Sequence, residues 1–205
     1  VRRLGLTKNL AAQGLWGLLL GSVTGRDDVV FGETVNGRPV DLAGSDRMVG
    51  LFINTLPVRV RWRNSDTIRD VLDRLQAQQT SLLDHQYLGL AEIQTLAGTG
   101  ELFDTATVFE NQPLPTSGST DTTLEIADVE IHDGTHYPLA LATASDAETL
   151  VFTIHHRPDI DVTALADRLL RLVEAFIADP TTPLARLSLL TAAERRLVVE
   201  AWNTT

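Results

Sequence analysis

The sequence predicts a two-layer α/β sandwich, and three observations carry that expectation. Helix-period and strand-period segments alternate through the first half, strand-like runs cluster across residues 124–155, and an amphipathic helix over 162–178 closes the pattern. A chain of 205 residues has room for one ordinary domain with a real core and not for two large ones.

From Thr7 to Leu20, Leu10, Leu15, Leu18 and Leu19 recur at helical spacing, with Thr7 placed to cap the first turn and Gly21 and Gly25 bracketing the end. The β-branched run Val29, Val30 and Phe31 then predicts a strand that leaves into an Asn36-Gly37 turn. A second strand follows where Val58, Val60 and Trp62 alternate with Arg59, Arg61 and Arg63, leaving one face apolar and the other charged. Residues 65–83 predict an amphipathic helix, with Ser65 and Asp66 as cap candidates and Ile68, Val71, Leu72, Leu75, Leu82 and Leu83 on one stripe. A short helix over 90–96, ended by Gly98 and Gly100, and an extended run over 105–109 come next.

Residues 112–121 are dense in Pro, Ser and Thr without an apolar period, which marks an exposed or crossing connection. Three strands are expected at 124–131, 137–143 and 150–155, with turns at Asp133-Gly134 and at residues 145–147. The helix over 162–178 buries Leu165, Leu169, Leu172, Val173 and Phe176 and stops at Asp179-Pro180. Thr191 and Glu194 form a capping box, in which each side chain satisfies a free backbone donor at the start of a last helix.

The charge balance excludes several function classes. With 17 basic against 27 acidic residues and a formal charge of −10, the chain offers no phosphate-binding surface for nucleic acid, and its scattered arginines form no polybasic membrane patch. The absence of cysteine removes disulfides, thiolate metal sites and cysteine nucleophiles, and fits a cytoplasmic protein. No stretch approaches the length that spans a bilayer.

Two nearby segments are more specific. Met48-Val49-Gly50-Leu51-Phe52-Ile53-Asn54-Thr55-Leu56-Pro57-Val58-Arg59-Val60 follows Gly32-Glu33-Thr34-Val35-Asn36-Gly37-Arg38-Pro39 at short range, with Phe109-Glu110-Asn111 further on. Together they resemble the second half of a nonribosomal peptide synthetase condensation domain. The resemblance runs from Gly5-Leu6-Thr7 to the closing Trp202-Asn203-Thr204-Thr205, which looks like the hinge into an adenylation domain. It departs at His85-Gln86, which lacks the following Pro-Phe pair, and at residues 96–101, where the family carries an Arg-Asp-x-Ser-Arg-Asn-Pro run. Gly50-Leu51-Phe52-Ile53-Asn54-Thr55 favours condensation over the related epimerization domains.

That resemblance implies a chloramphenicol acetyltransferase-like lobe with a mixed sheet and helices packed on it. Residues 1–185 would form the C-terminal lobe and 186–205 the hinge, a chain cut at both ends. It implies amide-bond formation between a carrier-bound donor thioester and an acceptor amine, with upstream and downstream peptidyl carrier proteins, an N-terminal lobe and an adenylation domain as partners. Phosphopantetheine arms would arrive on the carriers, and no cofactor would be bound directly. The general-base histidine would sit on the N-terminal lobe, so this chain alone would not catalyse. A non-catalytic condensation-like domain that docks a carrier protein or tailoring enzyme is the alternative, and an acyltransferase acting on a soluble thioester is a third.

Asn36, Gly37 and Arg38 would border the substrate tunnel with Phe52, Asn54 and Asn111, Arg38 bracing its loop through a carboxylate. Asn54, a polar amide in an apolar run, must find partners if buried, and either orders the loop or faces the tunnel. His155-His156 opens like the family's catalytic signature but is followed by Ile160 and Asp161 where Asp-Gly is needed, so the pair reads as structural. No metal site is expected, because His132 and His136 flank a turn rather than share a helix face. Ser45 lacks a nucleophile-elbow setting.

Overall fold

The computed structural model describes residues 1–38, 42–110, 135–145, 149–200 and 202. Within them five strands form one mixed sheet and five α-helices accompany it, with the strands in the order β2-β1-β3-β4-β5. The strands are β1 (Asp28–Val35), β2 (Asn54–Arg61), β3 (Thr105–Glu110), β4 (Leu139–Ser145) and β5 (Leu150–His156). β1 pairs with β2 and β4 with β5 in antiparallel fashion, while β3 runs parallel to both β1 and β4. The expected mixed α/β sandwich is therefore what the chain adopts.

Helix α1 (Lys8–Thr24) runs through the centre of the helical layer against α2 (Ile68–Leu82), α4 (Thr163–Ala178) and the sheet. It is buried from Leu10 to Gly21 on every side, which a one-sided stripe did not foretell. Glycines make this approach possible. A Cβ on Gly14 would fall 2.2 Å from the Leu72 side chain, one on Gly17 2.7 Å from Val60, and one on Gly21 2.1 Å from Trp62. Gly21 thus belongs inside the helix, and only Gly25, left-handed at φ 67°, ends it.

Trp16, Phe31, Leu19, Ile68, Leu72 and Leu141 are fully buried at the heart of this layer. Each such side chain contributes about 1.5–3 kcal/mol relative to exposure. The register sends Val29, Phe31 and Glu33 of β1 and Leu56, Val58 and Val60 of β2 to the helical face, and Gly32 with Ala106 and Ala140 to the other. Gly32 leaves room there for Phe103, whose ring would sit 2.6 Å from an added Cβ.

Several boundaries differ from expectation. The cap of α2 is Thr67, which exchanges bonds with Asp70 in a capping box, while Asp66 accepts from Arg63 N and pairs with Arg74. Leu82 and Leu83 lie outside the buried stripe and are exposed, because the helix gives way to a 3-10 turn over Leu83–His85. Helix α3 spans Leu90–Ala97 and ends at left-handed Gly98. β4 starts at Leu139, and Tyr137 packs instead against Phe103 and His136. The expected strand over 124–131, the loop over 112–121 and the Asp133-Gly134 turn lie outside the described residues.

Beyond α4 the backbone is stitched to the far corner of the sheet. Arg69 N donates to Pro180 O at 2.9 Å, Leu184 N to Asp66 O at 2.7 Å and Ala185 N to Asn64 O at 3.1 Å. Leu184, Leu187 and Leu189 pack on the core, and α5 (Ala192–Val199), opened by the expected Thr191–Glu194 box, is tied to α4 by Arg168 and Glu194 at 3.1 Å.

Candidate functional site

β1 ends at Val35 and its antiparallel partner β2 begins at Asn54, so the described residues 36–38 and 42–53 belong to the loop between the two strand ends. Gly37 (φ 53°) sits where a Cβ would lie 2.1 Å from the carbonyl oxygen of Phe52, so the outgoing and returning segments touch through bare backbone. Only glycine meets both demands.

Arg38 braces the loop, through acceptors other than the carboxylate expected for it. Its guanidinium donates to the carbonyl oxygens of Ser45 and of Met48, the latter at 3.1 Å, and lies over the Phe52 ring at 4.3 Å from the centroid. The short 3-10 turn Ser45–Arg47, entered through left-handed Gly44, presents these carbonyls. Asn36 is exposed and has no hydrogen-bond partner among the described residues.

Asn54 is committed to ordering the backbone. Its amide nitrogen donates to Gln86 O at 2.9 Å and Leu88 O at 2.8 Å, and its Oδ1 accepts from Thr55 N at 2.9 Å. The loop after α2 is thereby fastened to the start of β2. Asn111 lies outside the described residues, so the structure brings together Asn36, Gly37, Arg38, Phe52 and Asn54 only.

The returning half of this braced loop presents an apolar surface. Val49, Leu51 and Ile53 are 103%, 90% and 63% exposed, and Tyr87, between the two carbonyls that Asn54 holds, is 73% exposed. Met48 and Leu83 are exposed as well. Runs of large apolar side chains left in water are uncommon on isolated domains and mark a contact surface.

The His155-His156 pair stands elsewhere. His155 and His156 end β5, on the opposite edge of the sheet from β2, and His156 Nδ1 lies 2.9 Å from Arg157 O. His136 stacks on Tyr137, and His132 lies outside the described residues. Among the described residues no group of three His, Cys, Asp or Glu side chains could hold a metal ion, and no helix is long and apolar enough to cross a membrane.

One polar cluster escaped the sequence reading. Gln13, fully buried in α1, donates to Asn9 Oδ1 at 3.1 Å and accepts from Gln79 of α2, while Asn9 and Gln79 donate to the two oxygens of Glu33 at 2.9 and 3.2 Å. Burial pushes the Glu33 carboxyl above its ordinary pKa, and the hydrogen bond from Asn9 opposes that rise. The carboxylate also lies beside the first turn of α1, which carries no acid of its own. The available signals were a glutamine inside an apolar helix and a glutamate at an inward position of a strand.

The chain is similar to known proteins. The sequence model of the Condensation domain family matches residues 3–199. A linear gramicidin synthase of Brevibacillus parabrevis is 37% identical over 206 residues, covering 98% of this chain and 4% of that protein. Surfactin synthase subunit 3 of Bacillus subtilis (strain 168) is 31% identical over 203 residues, covering 96% of this chain and 16% of that protein. Among solved structures, the first condensation domain of the CDA synthetase overlaps with a TM-score of 0.73 at 20% identity, covering 93% of this chain and 44% of that one. The X-domain from teicoplanin biosynthesis overlaps with a TM-score of 0.78 at 21% identity, covering 93% of this chain and 46% of that one.

The fold is thus that of a condensation-type α/β lobe. The chain belongs to the condensation-domain family found in nonribosomal peptide synthetases. It spans 4% and 16% of the length of these two synthetase relatives, and less than half of the two solved domains.

Proposed function

We propose that this chain is the C-terminal wall of a two-walled reaction chamber in which a condensation domain joins a carrier-bound donor acyl thioester to an acceptor amine. The observation that carries the reading is the exposed apolar ledge of Val49, Leu51 and Ile53 beside the Arg38-braced loop, a surface suited to burial against the N-terminal lobe. Asn36, the Gly37–Phe52 contact and Asn111 border the chamber in this reading, and the loop fastened by Arg38 and Asn54 holds its rim.

The chemistry asks little of this wall beyond position. An α-amine with a pKa near ~8 is partly nucleophilic at neutral pH, so orienting it against the thioester supplies much of the acceleration. The proton-handling histidine belongs to the N-terminal lobe. Peptidyl carrier proteins deliver both substrates on phosphopantetheine arms, and residues 186–205 serve as the hinge toward an adenylation domain, with α5 tethered to the lobe through Arg168 and Glu194.

Peptide-bond formation between two loaded carrier proteins tests the proposal, with this chain alone and with it joined to an N-terminal lobe. Activity is expected only from the joined form. Turnover by the 205-residue chain alone would overturn the assignment of the general base to the other lobe. The second reading, a non-catalytic docking domain, is favoured by the overlap with the teicoplanin X-domain, a domain also solved in complex with OxyB. A joined form that binds loaded carriers without turnover would support it.

A further inference from the structure

We propose that the open edge of β2 is a docking groove for an acidic segment of a partner polypeptide. Among the described residues no strand pairs with this side of β2, which is the first strand of the sheet order. An open groove of about 770 Å³ lies at its C-terminal end, lined by Val71, Arg74 and Leu75 of α2 and by Arg59, Arg61 and Arg63.

The charge of this groove runs against that of the chain. Four arginines face Asp27, Asp28 and Asp66, so four positive charges less three negative ones leave +1 where the whole chain carries −10. The carboxylates hold two of the arginines in place. Arg59 makes a fork to Asp28 at 2.8 and 2.6 Å, and Arg74 bonds Asp66 at 2.6 Å and Arg61 O at 3.2 Å. The side chains of Arg61 and Arg63 have no hydrogen-bond partner among the described residues, and they are the ones left to meet an incoming carboxylate.

The edge is built against strand addition, which narrows the occupant. Trp62 N donates to Asp27 O, so the antiparallel register turns the backbone of Thr55, Pro57, Arg59 and Arg61 outward. Pro57 has no N–H, Thr55 N is taken by Asn54 Oδ1, and Arg61 O by Arg74. A full ladder with another strand is denied there. Recognition rests instead on guanidinium–carboxylate pairs. Arg61, the last residue of β2, and Arg63 are two positions apart, about 7 Å along extended backbone, which matches carboxylates at alternate positions of an extended segment. The flanking aspartates and the net charge of −10 disfavour a nucleic acid, whose binding needs clustered unopposed cations.

The probe is a fluorescein-labelled peptide of about nine residues in which glutamate alternates with serine, as an extended segment requires, titrated into the 205-residue protein by anisotropy. Saturable binding is expected, weakening as ionic strength rises from about 0.01 M to about 1 M and the Debye length falls from about 30 to about 3 Å. Arg61→Glu/Arg63→Glu should lose about tenfold or more in affinity through the loss of two charge-assisted contacts. The milder Arg61→Gln/Arg63→Gln should fall between, and both variants should keep the wild-type melting temperature. No saturable binding, equal binding of a glutamine-for-glutamate peptide, or unchanged affinity in both variants would overturn the proposal. None of these outcomes bears on the condensation reading.

Discussion

The guanidinium of Arg38 sits 4.3 Å from the centroid of the Phe52 ring while donating to the carbonyls of Ser45 and Met48, so one side chain ties the start of the 36–53 loop to its middle and its end. The loop is therefore a held shape, and the exposed residues it carries are presented rather than trailing.

Arg38→Ala should cost about 1–2 kcal/mol, the sum expected of two modest hydrogen bonds and a cation–π contact at a half-exposed site. The larger effect should be local, with faster amide hydrogen exchange over residues 42–50. Arg38→Lys should recover only part of it, because an ammonium lacks the planar fork that reaches two carbonyls and a ring together. Wild-type exchange rates in Arg38→Ala would refute the bracing role.

Asn54 invites a comparison of two substitutions. Asn54→Ala leaves Gln86 O and Leu88 O without their donor and should cost about 1–3 kcal/mol by denaturant titration. Asn54→Asp is nearly the same size yet aims a carboxylate at two carbonyl oxygens, and should be the worse of the pair. The reverse order would mean that packing, rather than the amide donor, matters there.

Gly37→Ala combines a left-handed backbone with a Cβ 2.1 Å from Phe52 O, and neither strain is relieved by a rotamer change. A loss of about 1–3 kcal/mol is expected from the backbone conformation and the displaced contact together. A melting temperature equal to wild type would show that the two segments can part freely.

Glu33 gives a pH signature whose sign follows from its raised pKa. A carboxyl that is harder to ionise when folded favours the native state most below the unfolded value of about 4.5. That contribution is lost as pH rises from there through the folded pKa. Glu33→Gln removes the ionisation, so its stability relative to wild type should improve across that window and then level off. Paired thermal melts from mildly acidic to neutral pH would measure the difference, and a constant offset would contradict the buried-carboxylate account.

Elements with strong local periodicity were legible from the sequence. The α2 and α4 stripes, the alternation in β2 and the Thr191–Glu194 box all depend on residues a few positions apart, and each forms near where its pattern places it. Thr67, which caps α2 in place of Ser65 or Asp66, shows how several adjacent cap formers defeat a one-residue choice. Gly21 reads as a helix stop by residue type but serves as space for Trp62, a partner far along the chain.

The site was legible as a segment and not as a set of bonds. The family resemblance grouped Asn36, Gly37, Arg38, Phe52 and Asn54, yet the acceptors of Arg38 and Asn54 are backbone carbonyls, which no residue type advertises. The Glu33 cluster draws on α1, β1 and α2, and only the folded arrangement reveals that Gln13, Asn9 and Gln79 converge on one acid.

The stitching of residues 180–185 to residues 64–69 also decides where a mechanical load would travel. A pull on the chain beyond Leu189 reaches the corner where β2 passes into α2 before it can unwind α4, because three backbone bonds and the packed leucines intercept it. Under such a pull that corner is the anchorage, and the opposite end of the sheet, where Arg38 braces its loop, is shielded from the tension.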